Sequence, residues 1–445
     1  MRVYKPSGIK WLGEIPQSWK NVSIRSCFTE SNQRCNTDSY PLLSVTIANG
    51  IIYQDDIENK KDISNDDKSN YKIVPLNAVT YNKMRMWQGA VGVNTLTIGI
   101  VSPAYIVAIP NEKILPNFVS YLFKSKIMIG EFDKNSYGLC LDMNNLRYDD
   151  FRNIKIPLPP LQEQKEIAEF LDKKCEKIQN YIDKKQKLIT LLQEKKQALI
   201  NEAVTKGLNP NIESKNSGIE YLGLIPHHWE VKKLKILFSL GNGLNITKQD
   251  FVSYGIPCVS YGEIHSKYPC RLDTSIHKLP YVSETYLADK PQSLLTKGDF
   301  VFADTSEDIE GSGNFTSIQS YMPVFAGYHT IILKPKISEI NDLYFSFLFD
   351  SFGIRSQIRK EVCGVKVFSI TKSILKEIQC LLPPLQEQKQ IANFLDEKCE
   401  KINSAIEKTK RQIKLIKEYK NTLINEAVCG RVDFSPTAQN DKKKN

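Results

Sequence analysis

Apolar residues recur at heptad-like spacing in two long stretches of the chain, and this pattern predicts two long α-helices. The first stretch carries two adjacent apolar rows, one of Leu171, Ile178, Leu192 and Leu199 and one of Cys175, Ile182, Ile189 and Ala203. The second carries the equivalent rows, Leu395, Ile402, Ile416 and Leu423 with Cys399, Ile406, Ile413 and Ala427. At about 1.5 Å per residue, each helix would be about 65 Å long. A single helix of that length is not stable alone, so each needs an apolar partner along its length.

Each predicted helix opens with the same signal. A proline pair, Pro159 and Pro160 or Pro383 and Pro384, suits an extended approach and a first turn. Glu163 or Glu387 then lies at the positive end of the helix dipole. We therefore predict helices over residues 158–206 and 382–434.

The two helices belong to an internal repeat. "LPPLQEQKEIAEFLDKKCEKI" at 158–178 and "LPPLQEQKQIANFLDEKCEKI" at 382–402 are identical at 18 of 21 positions, and "SGIKWLGEIPQSWK" at 7–20 returns as "SGIEYLGLIPHHWE" at 217–230. The helices keep their length while the segments between the motifs differ. The simplest arrangement is a pseudo-twofold repeat with antiparallel helices. An arbitrary coiled coil, or a duplication without functional symmetry, is the alternative.

Between the repeated motifs lie two predicted heads of mixed α/β structure. Short β-rich runs alternate with turns, and each head ends in an amphipathic segment before its proline pair. The first domain is residues 1–157, which include motif 7–20. The second is residues 207–381, which include a polar linker and motif 217–230. Residues 435–445 are polar and basic, and we expect them to be disordered.

Composition narrows the classes of protein and of site. No apolar run reaches the roughly 20 residues of a membrane span and the N-terminus lacks a signal-peptide core, so we expect a cytoplasmic protein with no membrane partner. Ten cysteines contain no C-x-x-C pair, which favours buried reduced thiols and predicts no metal site. The net charge of +10 indicates a polyanionic partner.

No catalytic residue is predicted. The chain has no G-x-x-x-x-G-K-[ST] phosphate loop, no H-E-x-x-H, no G-x-S-x-G and no H-x-E with C-x-x-C deaminase set. Its five histidines are scattered.

The first head contains basic, aromatic and amide side chains in "YNKMRMWQGAVG" and "GIVSPAY". Arginine and lysine read guanine, and asparagine and glutamine read adenine, in the major groove. The candidate DNA-binding residues here are Asn82, Lys83, Arg85, Trp87, Gln88, Ser102 and Tyr105. Alternatively the stretch is a plain β-hairpin with Met and Trp in the core and Lys83 and Arg85 merely solvated.

In the second head, polar loops follow short strands. The candidates are Ser260, Tyr261, Asp304, Thr305, Ser306, Tyr328 and His329. Phosphates repel acidic side chains, so the role of Asp304 is either contact with a base amino group or a structural turn. For Asp308 and Glu310 we favour a structural turn.

The twice-written "PLPPLQEQ"/"LLPPLQEQ", the twice-written "SGI" motif and the two divergent domains between them resemble the specificity subunit of a type I restriction-modification system. "YNKMRMWQGAVG" with "GIVSPAY" and "GDFVFADTSE" with "FAGYHTIIL" resemble its target recognition domains. The resemblance implies two globular recognition domains separated by two antiparallel helices.

The same resemblance implies function and partners. Each head would read one half of a bipartite site in double-stranded DNA, and the helices would set the spacer. They would also dock two adenine methyltransferase subunits and the restriction subunits, with S-adenosylmethionine, ATP and Mg bound by those partners and no cofactor by this chain. The implied interface and spacer residues are Pro159, Pro160, Gln162, Glu163, Gln164, Leu171, Ile178, Pro383, Pro384, Gln386, Glu387, Gln388, Leu395 and Ile402. The alternatives are a helical scaffold with protein-binding heads and an uncharacterised DNA-modifying enzyme.

Overall fold

The computed structural model describes residues 2–35, 40–57, 68–138, 144–267, 270–362 and 367–433. The chain forms two compact units, Met1–Gln186 with Lys410–Asn445, and Lys187–Thr409. Each unit therefore contains one head, the start of the long helix that follows this head, and the end of the other long helix. The tail predicted to be disordered, 435–445, lies outside the described residues.

In the part of the first head that the structure describes, short strands and three short α-helices precede the first long helix. Its strands are β1 Tyr4–Pro6, β2 Glu14–Pro16, β3 Lys20–Ser23, β4 Phe28–Ser31, β5 Leu43–Thr46, β6 Gly50–Tyr53, β7 Lys72–Val74, β8 Val79–Asn82, β9 Val91–Val93, β10 Gly99–Val101, β11 Tyr105–Pro110 and β12 Lys155–Leu158. Its helices are α1 Pro116–Lys124, α2 Lys126–Lys134 and α3 Tyr148–Phe151, followed by the long helix α4 Leu161–Lys206.

The second head follows the same plan, with more strands among its described residues. These are β13 Ser214–Asn216, β14 Leu224–Pro226, β15 Glu230–Lys233, β16 Phe238–Asn242, β17 Ile256–Val259, β18 Cys270–Leu272, β19 Tyr281–Val282, β20 Leu294–Leu295, β21 Phe300–Ala303, β22 Thr305–Ser306, β23 Phe315–Ile318, β24 Val324–Ala326, β25 Thr330–Pro335, β26 Phe368–Ser369 and β27 Gln379–Leu382. Its helices are α5 Leu234–Leu237, α6 Tyr261–Ser266, α7 Tyr286–Asp289, α8 Asp342–Asp350, α9 Phe352–Glu361 and α10 Lys372–Glu377, followed by the long helix α11 Leu385–Val428.

Both copies of the repeat share one arrangement of strands, which we call the frame: β1, β2, β3 and β12 in the first head, and β13, β14, β15 and β27 in the second. In each head the two strands around the "SGI" motif form an antiparallel hairpin, β1 with β2 and β13 with β14. The next strand then pairs antiparallel with the last strand of the same head, β3 with β12 and β15 with β27. In each head, a strand near its beginning thus pairs with its last strand, directly before the long helix.

Inside this frame the sheets differ. The first head has a four-stranded sheet in the order β4-β11-β8-β9, and the second has a five-stranded sheet, β16-β25-β21-β23-β18, beside a four-stranded one, β19-β17-β24-β20. The predicted fold class, mixed α/β with two divergent heads and two long helices, is confirmed.

The apolar rows of the long helices are buried or half-buried: Leu171 and Leu395 are fully buried and Ile189 and Ile413 are below a tenth exposed. The half-buried members are Leu192, Leu199, Ile416 and Leu423. In one unit the start of α4, at Ile167 and Leu171, shares a core with the end of α11, at Ala427 and Val428. In the other unit the end of α4, at Ile200 and Ala203, shares a core with the start of α11, at Ile391 and Leu395. Within each unit the helices therefore run antiparallel, as the repeat predicts.

The predicted helix bounds 158–206 and 382–434 were too wide. Leu158 and Leu382 still belong to strands, because they pair with Lys20 and Glu230. The second helix ends at Val428, close to Gly430 with its φ of +77°. A left-handed glycine is a common helix stop, and the sequence offers one there.

Candidate nucleic-acid interface

The first candidate stretch forms a tight turn between β8 and β9, which we call the recognition turn, residues 82–89. Asn82 Oδ1 accepts a hydrogen bond from Met84 N at 3.0 Å, and Trp87 Nε1 donates to Met84 O at 3.0 Å. Met86 is buried, whereas Arg85 and Gln88 are exposed. The hairpin interpretation is therefore right about the backbone and about Met86, but Trp87 is only half-buried.

Tyr105 and Ser102 lie close to this turn. Tyr105 at the start of β11 is directly opposite Asn82 at the end of β8. Ser102 follows Val101, whose partner on the neighbouring strand is Lys72. The fold therefore brings the ends of three strands, and the candidates on them, together.

Two basic residues that the sequence analysis did not select, Arg34 and Lys72, also lie near this group. Arg34 and Lys72 form an isolated β-bridge with each other. Burial lowers the pKa of Lys72, the charges of Lys83 and Arg34 lower it further, and Glu30, 3.8 Å from Lys72 Nζ, raises it. Three cations near one carboxylate form an electropositive patch of the kind that favours phosphate. No local pattern signalled it, because the three residues come from separate segments.

In the second head most candidates meet in one cluster of rings. The Tyr261 ring centroid lies 5.6 Å from that of Tyr328 and 5.4 Å from that of His329. His265, a residue missed by the sequence prediction, lies 6.3 Å from Tyr261 by the same measure. Tyr261 and Tyr328 are half-buried and His329 is exposed, so the cluster presents ring edges and polar tips to solvent.

Asp304 orients the polar groups of this cluster. Its Oδ1 accepts a hydrogen bond from Thr305 Oγ1 at 2.6 Å and lies 3.1 Å from His329 Nδ1. With Nδ1–H directed at a carboxylate, the acceptor nitrogen of the neutral His329 ring is Nε2. His329 also has a φ of +54°, a backbone conformation that a non-glycine residue adopts only under constraint.

A second chain of hydrogen bonds ends at the backbone carbonyl of Thr305. His265 Nε2 lies 2.8 Å from the Thr305 carbonyl oxygen, so Nε2–H donates and Nδ1 accepts from Asn314 Nδ2 at 2.9 Å. Arg355 Nη1 donates in turn to Asn314 Oδ1 at 2.9 Å. These long-range contacts fix the loop, and no sequence motif marks them.

Ser260 and Ser306 are structural residues in this arrangement. Both are buried; Ser260 N donates to Glu263 Oε2 at 3.2 Å, and Ser306 Oγ accepts from Asp308 N at 3.4 Å. Asp308 Oδ1 accepts from Gly311 N at 2.6 Å, and Glu310 pairs with Arg359 at 3.0 Å. The acidic loop is thus held by its own contacts, in agreement with the turn interpretation.

The glutamines of the repeated motif tie each head to its helix. Gln164 is fully buried; its Nε2 donates to Lys113 O at 3.0 Å and to Pro159 O at 2.9 Å, and its Oε1 accepts from Leu115 N at 2.8 Å. Gln388 makes the equivalent bonds to Glu339 O, Pro383 O and Asn341 N at 2.8, 2.9 and 3.0 Å.

The glutamates of the motif hold the buried tryptophans. Trp19 Nε1 donates to Glu163 Oε2 at 2.8 Å, and Trp229 Nε1 donates to Glu387 Oε2 at 3.0 Å. Glu163 also pairs with Arg2, and Glu387 with His228 at 2.8 Å. The tryptophan of the "SGI" motif and the glutamate of "LQEQ" recur together because they contact each other in each half of the repeat.

One more repeated position carries an aspartate on each long helix, and each aspartate binds a different donor in its own head. Asp172 Oδ1 accepts from Tyr121 OH at 2.6 Å, while Asp396, at the same repeat position, pairs with Arg271 Nη1 at 2.6 Å. The helix thus keeps its acceptor while the diverged heads supply their own donor.

The residues predicted to form the subunit interface fall into two groups. Pro159, Gln164, Leu171, Ile178, Pro383, Gln388, Leu395 and Ile402 are buried, and Glu163 and Glu387 are largely covered. Pro160, Gln162, Pro384 and Gln386 are exposed. Their docking role stays a prediction, and only the exposed four are accessible to another chain.

Within the described parts of the chain, no group of three His, Cys, Asp or Glu side chains is placed to hold a metal ion. No helix among those residues is both long and apolar enough to cross a membrane.

Two regions of the chain, residues 16–191 and 226–415, match the family model of the type I restriction modification DNA specificity domain. Together they cover most of the sequence. The chain belongs to this family. The matches begin near the tryptophan of each "SGI" motif and extend into each long helix, so each specificity domain comprises one head and a part of its helix.

The chain is similar in sequence to a known relative and in fold to solved structures. The chain is 29% identical over 290 residues to the type I restriction enzyme MjaVIII specificity subunit of Methanocaldococcus jannaschii, in a match that covers 63% of each protein. That is less than two thirds of the relative's length. The fold matches that of a chain from a structural study of complex assembly and conformational transition of the type I R-M system, with a TM-score of 0.70, 15% identity and coverage of 94% and 99% of the two chains. It also matches the HsdS subunit from Thermoanaerobacter tengcongensis, with a TM-score of 0.53, 16% identity and coverage of 94% and 98%.

Proposed function

We propose that this chain is the DNA-reading subunit of a type I restriction-modification complex and that each head reads one half of a bipartite site. The observation that carries the proposal is the contrast within the repeat. The frame and its helix contacts are the same twice, at Trp19–Glu163 and Trp229–Glu387, while the two heads differ in their sheets and in their candidate polar residues. One frame with two different surfaces suits the reading of two different half-sites.

The first head has the chemistry to read guanine or adenine and to bind phosphate. Arg85 and Gln88 are exposed on the recognition turn, where each can make a bidentate contact with a base edge. Arg34, Lys72 and Lys83 supply positive charge for the DNA backbone.

The second head has fewer cations on its candidate surface and more neutral polar groups. His329 is exposed, Tyr328 is half-buried, and Asp304 Oδ1 lies 3.1 Å from His329 Nδ1. We assign base contacts to His329 and Thr305, and a supporting role to Asp304.

Chemistry on the DNA is assigned to partner chains. We propose two adenine methyltransferase subunits that bind S-adenosylmethionine and receive the flipped adenine, and restriction subunits that use ATP and Mg. On this proposal the present chain supplies recognition and assembly and holds no cofactor.

An exposed leucine pair is our candidate for the methyltransferase contact. Leu191 on α4 is 51% exposed and Leu415 on α11 is 55% exposed, and the two occupy the same position of the repeat. Two equivalent exposed apolar sites fit two copies of one partner. Leu191→Asp and Leu415→Asp should each remove one copy, measured as the mass of the purified complex. Two copies bound to both variants would rule out this contact.

The double variant Arg85→Ala/Trp87→Ala tests DNA reading by the first head. Expressed with its modification subunit, it should assemble normally but lose sequence-specific DNA binding, measured by fluorescence anisotropy with cognate and scrambled duplexes. The affinity of the unaltered complex should fall steeply as salt rises, because Lys and Arg release counterions from DNA. Unchanged specific binding by the variant would refute this reading surface. Binding without sequence or salt dependence in the unaltered complex would favour protein-binding heads.

A further inference from the structure

Lys124 is a half-buried lysine at the end of α1 whose ammonium group binds only backbone carbonyls in the described contacts. Its Nζ donates to Thr46 O at 3.2 Å, Ile47 O at 2.7 Å and Gly89 O at 3.1 Å. An ammonium group has three N–H donors, so these three acceptors saturate it. Lys124 therefore has no donor left for a ligand.

The three carbonyls belong to two different loops. Thr46 and Ile47 lie at the tip of the β5–β6 hairpin, and Gly89 closes the recognition turn. Ile47, Ala48 and Asn49 at the hairpin tip are exposed, as are Arg85 and Gln88 on the turn. One half-buried charge thus joins the backbones of two exposed loops.

The backbones around this contact are packed closely. A Cβ at Gly92 would lie 2.7 Å from Ile51 N, and a Cβ at Gly89 would lie 2.8 Å from Ile129 Cδ1. Gly89 also has a φ of +89°, which a side chain would disfavour. The missing side chain of Gly92 therefore lets β9 approach the hairpin, and that of Gly89 lets the recognition turn approach Ile129 of α2.

We propose that Lys124 is a positioning residue that joins the hairpin tip, residues 47–49, and the recognition turn into one DNA-reading surface of the first head. The inference rests on the proposed function. It extends the surface beyond the recognition turn, since Ile47 can contact a thymine methyl group and Asn49 an adenine edge. Lys124 itself touches no DNA and acts through the carbonyls of Ile47 and Gly89.

The environment of Lys124 supplies a second way to test this role. Burial lowers the pKa of Lys124 to about 8. A neutral amine has two N–H donors and can satisfy only two of the three carbonyls at once. Raising the pH from 7 to 9 should therefore loosen the first head's surface through this residue.

The substitution Lys124→Met removes the donors and keeps the length of the stem. Lys126→Met, at an exposed position two residues further on, is the matched control. Each variant is assembled with the modification subunit, and methylation rates are measured on duplexes with single base changes in either half-site. The first half-site is identified as the one whose recognition Arg85→Ala/Trp87→Ala abolishes.

Lys124→Met should reduce discrimination at the first half-site about tenfold, the scale of one lost base contact, and leave the second half-site unchanged. Between pH 7 and 9 the unaltered complex should lose discrimination at the first half-site only, and Lys124→Met should show no such pH dependence. Lys126→Met should behave like the unaltered complex. Unchanged discrimination in Lys124→Met, or equal loss at both half-sites, would overturn the inference while Arg85→Ala/Trp87→Ala still abolishes reading. If that double variant also reads normally, the proposed reading surface itself is wrong.

Discussion

At the scale of single residues, Gln164 connects sequence motif and architecture most directly. Its buried side-chain amide pairs with three backbone groups, two of them, at Lys113 and Leu115, on the segment before α1. A buried polar group that loses its partner costs about 1–3 kcal/mol. The motif glutamine is thus a structural requirement of the joint between head and helix.

Gln164→Ala should lower the free energy of unfolding by about 1–3 kcal/mol, because it removes the hydrogen-bond partner of three backbone groups, one of them in a fully buried contact. Gln162→Ala, an exposed position in the same helical turn, is the control and should change stability by less than about 0.5 kcal/mol. Urea unfolding followed by circular dichroism gives both values. Equal stability of the two variants would mean that the buried amide is not an anchor.

Buried thiols give the protein a predictable response to alkaline pH. Burial raises the pKa of Cys258 to about 12, with the charge of Glu263 as a smaller cause. A thiol in an unfolded chain titrates near about 8.5. Because the folded pKa is the higher one, the stabilising contribution is complete below about pH 8.5 and is lost as the pH rises toward 12.

Cys258→Ala should therefore flatten the fall of stability between about pH 8.5 and 10 relative to the unaltered chain. The measurement is the free energy of unfolding in urea at pH 7, 8.5 and 10 under reducing conditions. The difference between the two proteins should shrink as the pH rises. A difference that is independent of pH would contradict the assigned pKa shift.

At the scale of elements, the length of the two helices is the feature held constant in the repeat. Deleting residues 184–187 from α4 would shorten the helix by about 6 Å and rotate the residues beyond the deletion about the helix axis. We expect a changed gap in the DNA motif that the complex methylates, or loss of assembly. Replacing the same four residues with alanine keeps the helix length and should keep the gap. The original gap with full methylation in the deletion variant would show that the helix does not set the spacing.

The elements also show what the sequence could predict. The helices and their antiparallel packing were predictable, because apolar rows such as Leu171 with Ile178 repeat at a fixed period and occur twice. The frame strands could be located only by the repeat itself. The helix ends were less accurate, since Leu158 pairs in a strand before the helix begins.

Much of the candidate site could not be predicted. Arg34, Lys72 and Lys83 come together through strand pairing, and Lys124 reaches carbonyls 35 and 77 or more residues away. His265 is close in sequence to the candidate Tyr261, but its link to Thr305 depends on loop geometry. Contacts between residues far apart in sequence leave no local pattern, so single-sequence reasoning misses them.

At the scale of the whole molecule, the chain joins the two proposed reading surfaces through one duplicated frame. Linking two binding sites raises the effective concentration of each for its half of the DNA site. Each matched base pair contributes about 1–3 kcal/mol of discrimination, so two heads that read several pairs each can select one site among many competitors. Inactivating either surface should therefore weaken binding to the complete site.

The second head offers the matching test of independence. His329→Ala removes the exposed imidazole from the ring cluster and should relax recognition of one half-site without affecting the half lost in Arg85→Ala/Trp87→Ala. The measurement is methylation of a duplex library randomised in both halves. Relaxation of the same half-site by both variants would contradict the assignment of one half-site to each head.

The most direct test is to co-express the chain with its modification subunit in a methylation-free host and to map N6-methyladenine across the genome. We predict a split motif with a gap of fixed length and one methylated adenine on each strand. A continuous motif, or methylation without any sequence motif, would contradict the central claim that the two heads read two halves of one DNA site.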